Sequence, residues 1–142
     1  LHPAEIRATL AALRARWPHN RLVTVFHPHT FSRTRALFDD FVDSFSDTDI
    51  LLVLDIYGSA REAASERAGM SGAKLARAVV ARNRQAKRYQ AVESVATLDD
   101  AAKRLCQIIK PGDRAVLMGA GDVFRIGGQL LSQSSYGRKS RK

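Results

Sequence analysis

Two continuous apolar runs stand out in a chain that is otherwise amphipathic. Arg21–Phe26 reads RLVTVF and Ile50–Leu54 reads ILLVL. Short runs of this kind, without polar alternation, suit strands covered on both faces. Elsewhere apolar positions recur every three or four residues, the period of a helix with one buried stripe. Ile6, Leu10, Leu13 and Trp17 mark the first such helix, opened by Pro3 and Glu5 and ended at Trp17-Pro18. Leu37, Phe38, Phe41, Val42 and Phe45 mark a second over 37–45. Leu75, Ala78 and Val79 mark a third over 73–84. A fourth begins at Thr97, a hydroxyl cap followed by Asp99 and Asp100, and buries Leu105, Ile108 and Ile109. Further strands are expected at Tyr89–Val92 and Ala115–Met118, and a closing helix at Val123, Ile126 and Leu130.

Helices and strands therefore alternate from end to end. That order predicts an α/β fold: a Rossmann-like, mostly parallel sheet with helices on both faces, in a single domain. The domain is expected to occupy 1–134, with 135–142 a basic disordered tail containing Arg138, Lys139, Arg141 and Lys142. Residues 55–72 are polar, small and aperiodic, with room for a short helix over 60–67. A loop of that length inside a compact domain is commonly functional. A chain that opens on Leu1, already in a helical pattern, is expected to be part of a longer one.

Charge adds one question. Lys and Arg number 23 against 14 acids, a net charge of +9, which raises a basic binding module for nucleic acid or a protein partner as an alternative function. The basic residues outside the tail are scattered singly through helical patterns, as on solvated faces, and carry no aromatic stacking pattern. The single Cys106 rules out an internal disulfide and is expected to be a buried, inert thiol. No apolar run reaches the roughly 20 residues of a membrane span, and no signal peptide opens the chain. A reducing cytoplasm fits these features.

In a parallel sheet the strand carboxyl ends share one edge, and ligands bind there. Three unusual stretches fall on that edge: Phe26–Arg35 (FHPHTFSRTR) with His27, His29 and Arg33; Asp55, Tyr57 and Arg61; and Gly119-Ala120-Gly121-Asp122. Imidazoles, guanidiniums and hydroxyls at a strand-to-helix junction suit an anionic or carboxylate-bearing ligand. The plainer alternative is a surface loop whose Ser32 caps the next helix. Asp55 and Glu62 are candidate general bases or simple ion-pair partners of Arg61 or Arg33. Gly119–Asp122 opens a helix as phosphate-binding turns do, yet Phe124 stands where the dinucleotide fingerprint needs a third glycine. Asp122 serves equally as a helix cap. No Gly-Lys-Ser/Thr phosphate loop exists in the chain, so this domain alone is not expected to hydrolyse ATP. His2 and His29 lack partners at ligand spacing, and no metal site is expected.

Four ordered stretches carry a resemblance: His2-Pro3-Ala4-Glu5-Ile6-Arg7, Phe26–Thr34, Asp55-Ile56-Tyr57 and Met118–Asp122. Together they resemble the C-terminal domain of the Mur ligases, over nearly the whole chain. The resemblance implies the last of three domains in a cytoplasmic enzyme of peptidoglycan synthesis. The upstream N-terminal domain would bind UDP-N-acetylmuramate, and the central domain ATP and Mg2+. It points to the branch that adds L-alanine through an acyl phosphate, with a tripeptide-adding branch as the alternative. By position, Arg33 would hold the amino-acid carboxylate and His29 would line its pocket. His2 would lie near the nucleotide at the hinge. His27, Asp55, Tyr57, Gly119, Gly121 and Asp122 would line the crevice. Leu1 stands where the family has the first of two histidines, and Thr30 and Phe31 replace a usual Arg and Tyr. These departures leave the added amino acid open.

Overall fold

The computed structural model describes residues 1–119 and 121–128, the side chains of residues 121 and 122 excepted. In chain order the elements are α1 (Pro3–Arg16), β1 (Leu22–His27), α2 (Phe31–Ala36), α3 (Phe38–Val42), β2 (Ile50–Leu54), α4 (Ala64–Arg67), α5 (Gly72–Ala86), β3 (Ala91–Val95), α6 (Leu98–Ile108) and β4 (Arg114–Gly119), followed by a 3-10 turn, Gly121–Phe124. The four strands form one sheet in the order β3-β2-β1-β4, and every pairing is parallel.

The two apolar runs take the centre of this sheet because only there are both faces covered. β1 and β2 are buried at every residue, whereas the edge strands β3 and β4 are largely half-buried or exposed. Alternating side chains sort onto two cores. Phe26, Leu51, Val53 and Met118 pack with Ile6 and Leu10 of α1, Phe41 and Val42 of α3, and Leu75 and Val79 of α5. Val23, Val25, Ile50, Leu52 and Leu54 face Ala101, Ala102 and Leu105 of α6, together with Val123 and Ile126. Helices thus cover both faces, as expected. The one hydroxyl inside β1, Thr24, is satisfied by Thr48 at 2.7 Å, and Thr48 also donates to the Leu22 carbonyl.

Several boundaries differ from expectation. The helix expected over 37–45 is shorter, α3 over 38–42, and a separate short helix, α2, precedes it: Thr30 caps α2 three residues after β1 ends at His27, and Leu37 (φ −113°, ψ 23°) breaks the ladder between the two. α2 has no apolar stripe to announce it; its only buried residue is Thr34. The third strand runs 91–95 rather than 89–92. The Gln90 side chain is anchored on the Phe45 and Thr48 carbonyls, and the Ala91 N–H continues the ladder on Asp49. That leaves Tyr89 wholly exposed. The helix of the long loop is confined to α4. α5 extends beyond 73–84 at both ends, capped by the Ser71 hydroxyl. Cys106 is half-buried rather than buried, since it lies beside the stripe of Leu105 and not on it. Leu130 and the segment 135–142 lie outside the described residues. Among the described residues no helix is long and apolar enough to cross a membrane.

Candidate functional site

β1 and β4 stay paired to their last residues, with His27 opposite Gly119. Gly119 has φ +118°, and a Cβ there would lie 2.1 Å from the His27 carbonyl oxygen. Only glycine lets the two strand ends close in this way. His27 is buried, and its ring meets that of Tyr57 edge-on at 5.6 Å.

Past β1 the chain makes one further parallel bridge, His29 to Tyr57. The Tyr57 N–H donates to the Pro28 carbonyl at 2.8 Å, and the Thr30 N–H donates to the Tyr57 carbonyl at 2.9 Å. The bridge brings the His29 and Tyr57 rings within 5.9 Å, both exposed. Two of the three predicted stretches are thereby stitched together by main chain.

Thr30 then adopts φ 62°, ψ 141°. A β-branched residue at positive φ is strained by about 1–3 kcal/mol and persists only where its surroundings over-determine it. They do so here. Besides the bond to Tyr57, the Thr30 carbonyl accepts from the Thr34 N–H (3.2 Å) and hydroxyl (2.8 Å), and the Thr30 hydroxyl accepts from the Arg33 N–H (3.3 Å). Thr30, and not Ser32, is therefore the cap of α2. The Arg33 side chain emerges from this first turn into solvent. Among the described residues its guanidinium has no hydrogen-bond or ion-pair partner.

The long loop is laced onto α2. Arg35 donates to the carbonyls of Glu66 (3.1 Å) and Ala68, and Arg67 donates to the Ser59 carbonyl (2.9 Å) while lying over the Phe31 ring at 5.1 Å. Glu62 binds neither Arg33 nor Arg61. Its Oε1 accepts from the Ser32 N–H (2.8 Å) and hydroxyl (3.1 Å), and its Oε2 from the Ser59 N–H (3.0 Å). Desolvation opposes its charge. The amides of Ser32, Ser59 and Phe31, with the Ser32 hydroxyl, outweigh that and bring the carboxyl down to about 2. So strong an acid does not serve as a general base near neutrality.

The remaining predicted residues are placed apart. Asp55, exposed at the end of β2, accepts from the Ile56 and Gly72 N–H groups at 3.3 and 3.4 Å. It lines a separate cleft of 290 Å³ with Ser71, Ala73, Ser94, Val95 and Ala96. His2 is the N-cap of α1: its Nδ1 accepts from the Ala4 N–H, and Glu5 accepts from the His2 N–H. Gly121 and Asp122 open the 3-10 turn, but their side chains, and Ala120 altogether, lie outside the described residues. Among the described residues no group of His, Cys, Asp or Glu could hold a metal ion. The strain at Thr30 and the true partners of Glu62 were beyond sequence reasoning. The one available hint was a lone Glu in a loop rich in small polar residues.

An all-parallel sheet covered by helices on both faces, with histidines, a tyrosine and an arginine gathered where β1 and β2 end, defines a Rossmann-like α/β domain. The profile of the family described as "Mur ligase, glutamate ligase domain" matches residues 1–121. The chain belongs to the Mur ligase family, as its C-terminal domain. It is 41% identical over 139 residues to UDP-N-acetylmuramate–L-alanine ligase of Geobacter sulfurreducens, and 42% identical over 131 residues to the ligase of that name from Desulfosudis oleivorans. These alignments cover 98% and 92% of the chain but 28% and 27% of the relatives, so the chain spans little more than a quarter of their length. Among solved structures, the UDP-N-acetylmuramate–alanine ligase of Thermotoga maritima superposes with a TM-score of 0.66 at 17% identity, over 99% of this chain and 25% of that one. A murein peptide ligase from Psychrobacter arcticus gives 0.66 at 19% identity, over 92% and 25%. Both share the fold.

Proposed function

We propose that this chain is the amino-acid-binding domain of an ATP-dependent ligase that joins L-alanine to UDP-N-acetylmuramate. The observation that carries the reading is Arg33: an exposed guanidinium without a partner among the described residues, held on a strained, capped turn that follows the His29–Tyr57 bridge. A planar fork of donors pairs with a carboxylate in two parallel bonds. The roughly 40% identity to L-alanine ligases supports alanine as the carboxylate's owner.

In the whole enzyme ATP and Mg2+ would be bound mainly by an upstream central domain, and ATP would activate the muramoyl carboxylate as an acyl phosphate. This chain's own residues would position the amine that displaces phosphate. Arg33 fixes the amino-acid carboxylate, His29 and Tyr57 wall the pocket, and His27 and Gly119 set the floor on which that wall stands. His2, with its ring exposed at the start of α1, would meet the nucleotide at the hinge. Asp55 and the Gly121–Asp122 turn would line the crevice's flanks. Catalysis then comes from orientation and charge placement rather than from an acid–base pair. Without a phosphate loop the domain, 1–134 with its basic tail 135–142, is silent alone. A cytoplasmic setting accords with these substrates.

The test is ATP-dependent phosphate release by the full-length product, supplied with UDP-N-acetylmuramate, Mg2+ and, in turn, L-alanine, L-serine, glycine or a tripeptide. Release requiring L-alanine supports the reading. Release only with the tripeptide moves the assignment to the peptide-adding branch, and no amino-acid-dependent release overturns it.

A further inference from the structure

We infer that Glu62 is the positioning residue that holds the strained Thr30–Arg33 turn in place, and thereby aims the Arg33 guanidinium at the substrate carboxylate. The aim rests on the ligase reading; the holding does not.

Three observations lead here. First, the turn is under strain, since Thr30 sits at φ 62°, and a strained β-branched residue relaxes to negative φ unless something opposes it. Such a relaxation would swing the first turn of α2, and Arg33 with it. Second, the bonds inside the turn, from Arg33 and Thr34 to Thr30, move with it, and α2 adds little packing to anchor it to the rest of the fold: six residues, one of them buried. Arg35 ties its last turn and Arg67 covers the Phe31 ring, but the amide and hydroxyl of Ser32, in the first turn, are taken by Glu62. Third, Glu62 is itself fixed. The Ser59 N–H holds its Oε2, and the Glu62 N–H donates back to the Ser59 carbonyl at 3.1 Å. The carboxylate is a two-ended clasp between the 59–62 turn and the start of α2. Its oxygens are occupied on both sides, and its lowered pKa follows from the same donors.

The clasp makes a specific kinetic prediction, because a misaimed carboxylate ligand differs from a missing chemical group. In the full-length ligase, Glu62→Ala should raise KM for L-alanine about tenfold or more, with kcat and the KM values for ATP and UDP-N-acetylmuramate within about threefold. Thr30→Gly removes the strain, because glycine adopts positive φ freely. On the Glu62→Ala background it should restore most of the lost affinity. Unchanged KM in Glu62→Ala overturns the inference. So does a fall in kcat at constant KM, which would place the carboxylate in the chemical step, and so does failure of Thr30→Gly to rescue. If the wild-type ligase shows no amino-acid-dependent turnover, the ligase reading fails instead, and the clasp is read on the 142-residue chain by amide NMR. Glu62→Gln should then move the Ser32 and Ser59 amide resonances while those of β1 and β2 stay put; unmoved Ser32 and Ser59 overturn it.

Discussion

The two ends of the sheet are built on opposite principles. At the amino end the charges are consumed internally. Arg21 grips Asp113 through Nε and Nη2 and also donates to the Ile108 carbonyl. Arg14 reaches the Asn20 and Asp47 carbonyls and the Asp49 carboxylate, which in turn accepts from the Leu22 N–H. The Asn20 amide closes onto the Gly112 carbonyl at 2.7 Å. Burial opposes the charge of Asp113, yet Arg21 and the Lys110 N–H hold its carboxyl below the usual range. At the carboxyl end, Arg33 has no partner among the described residues, His29 and Tyr57 are exposed, and Thr30 is strained. One end uses its polar groups to hold the strands in register, and the other uses Glu62, Arg35 and Arg67 to hold a turn that leaves Arg33, His29 and Tyr57 exposed.

Substitutions at the two ends should therefore separate cleanly, and the largest effect should come from the one carboxyl-end residue on which strand pairing also depends. Gly119→Ala places a Cβ against the His27 carbonyl at an unfavourable φ, and is expected to cost about 4 kcal/mol by denaturant unfolding and to weaken alanine binding as well. Arg21→Ala leaves the buried Asp113 carboxylate without its counter-charge and should cost about 3 kcal/mol. The amino-acid KM of the full enzyme should stay unchanged. A shifted KM would break the division. Arg33→Ala should do the reverse: KM for L-alanine up by about 10–100-fold, the worth of a charge-assisted bond, with the melting temperature held. The smallest effect is one of pH. Glu62 has a folded-state pKa of about 2 against an ordinary 4.5. Its contribution is complete above the ordinary value and drains away as the pH falls from there toward about 2. Ser32 and Ser59 amide shifts followed through an acid titration should report it.

How much of this was legible depended on whether the signal was local. β1 and β2 were plain because central strands covered on both faces are built mostly of apolar residues, and α1, α5 and α6 because an apolar stripe repeats over several turns. β3 was misplaced by two residues because an edge strand, AVESV, need only be half apolar. α2 was missed because its helical state is decided by Thr30 and by distant partners and not by any stripe. The meeting of His27, His29, Tyr57 and Gly119 followed from topology alone, since parallel strands end together. Asp55 obeyed the same rule but was carried toward β3 and a different cleft. Glu62 was beyond reach: Ser32 lies 30 positions away, and its partners are largely backbone amides, which leave no mark on composition or spacing.

The brevity of α2 has a consequence for how such a domain changes over time. Its anchors, Glu62, Arg67 and the Tyr57 carbonyl, all belong to the neighbouring loop, and the helix itself contributes one residue to the interior. Exchanging the side chain of Arg33 or Ala36, both exposed, disturbs neither the packed core nor the bonds to the loop, and surface changes of that kind usually shift stability by no more than about half a kcal/mol. The segment that carries Arg33 is thus a cassette clipped onto the sheet from outside, and its outer face can change while the two cores stay as they are.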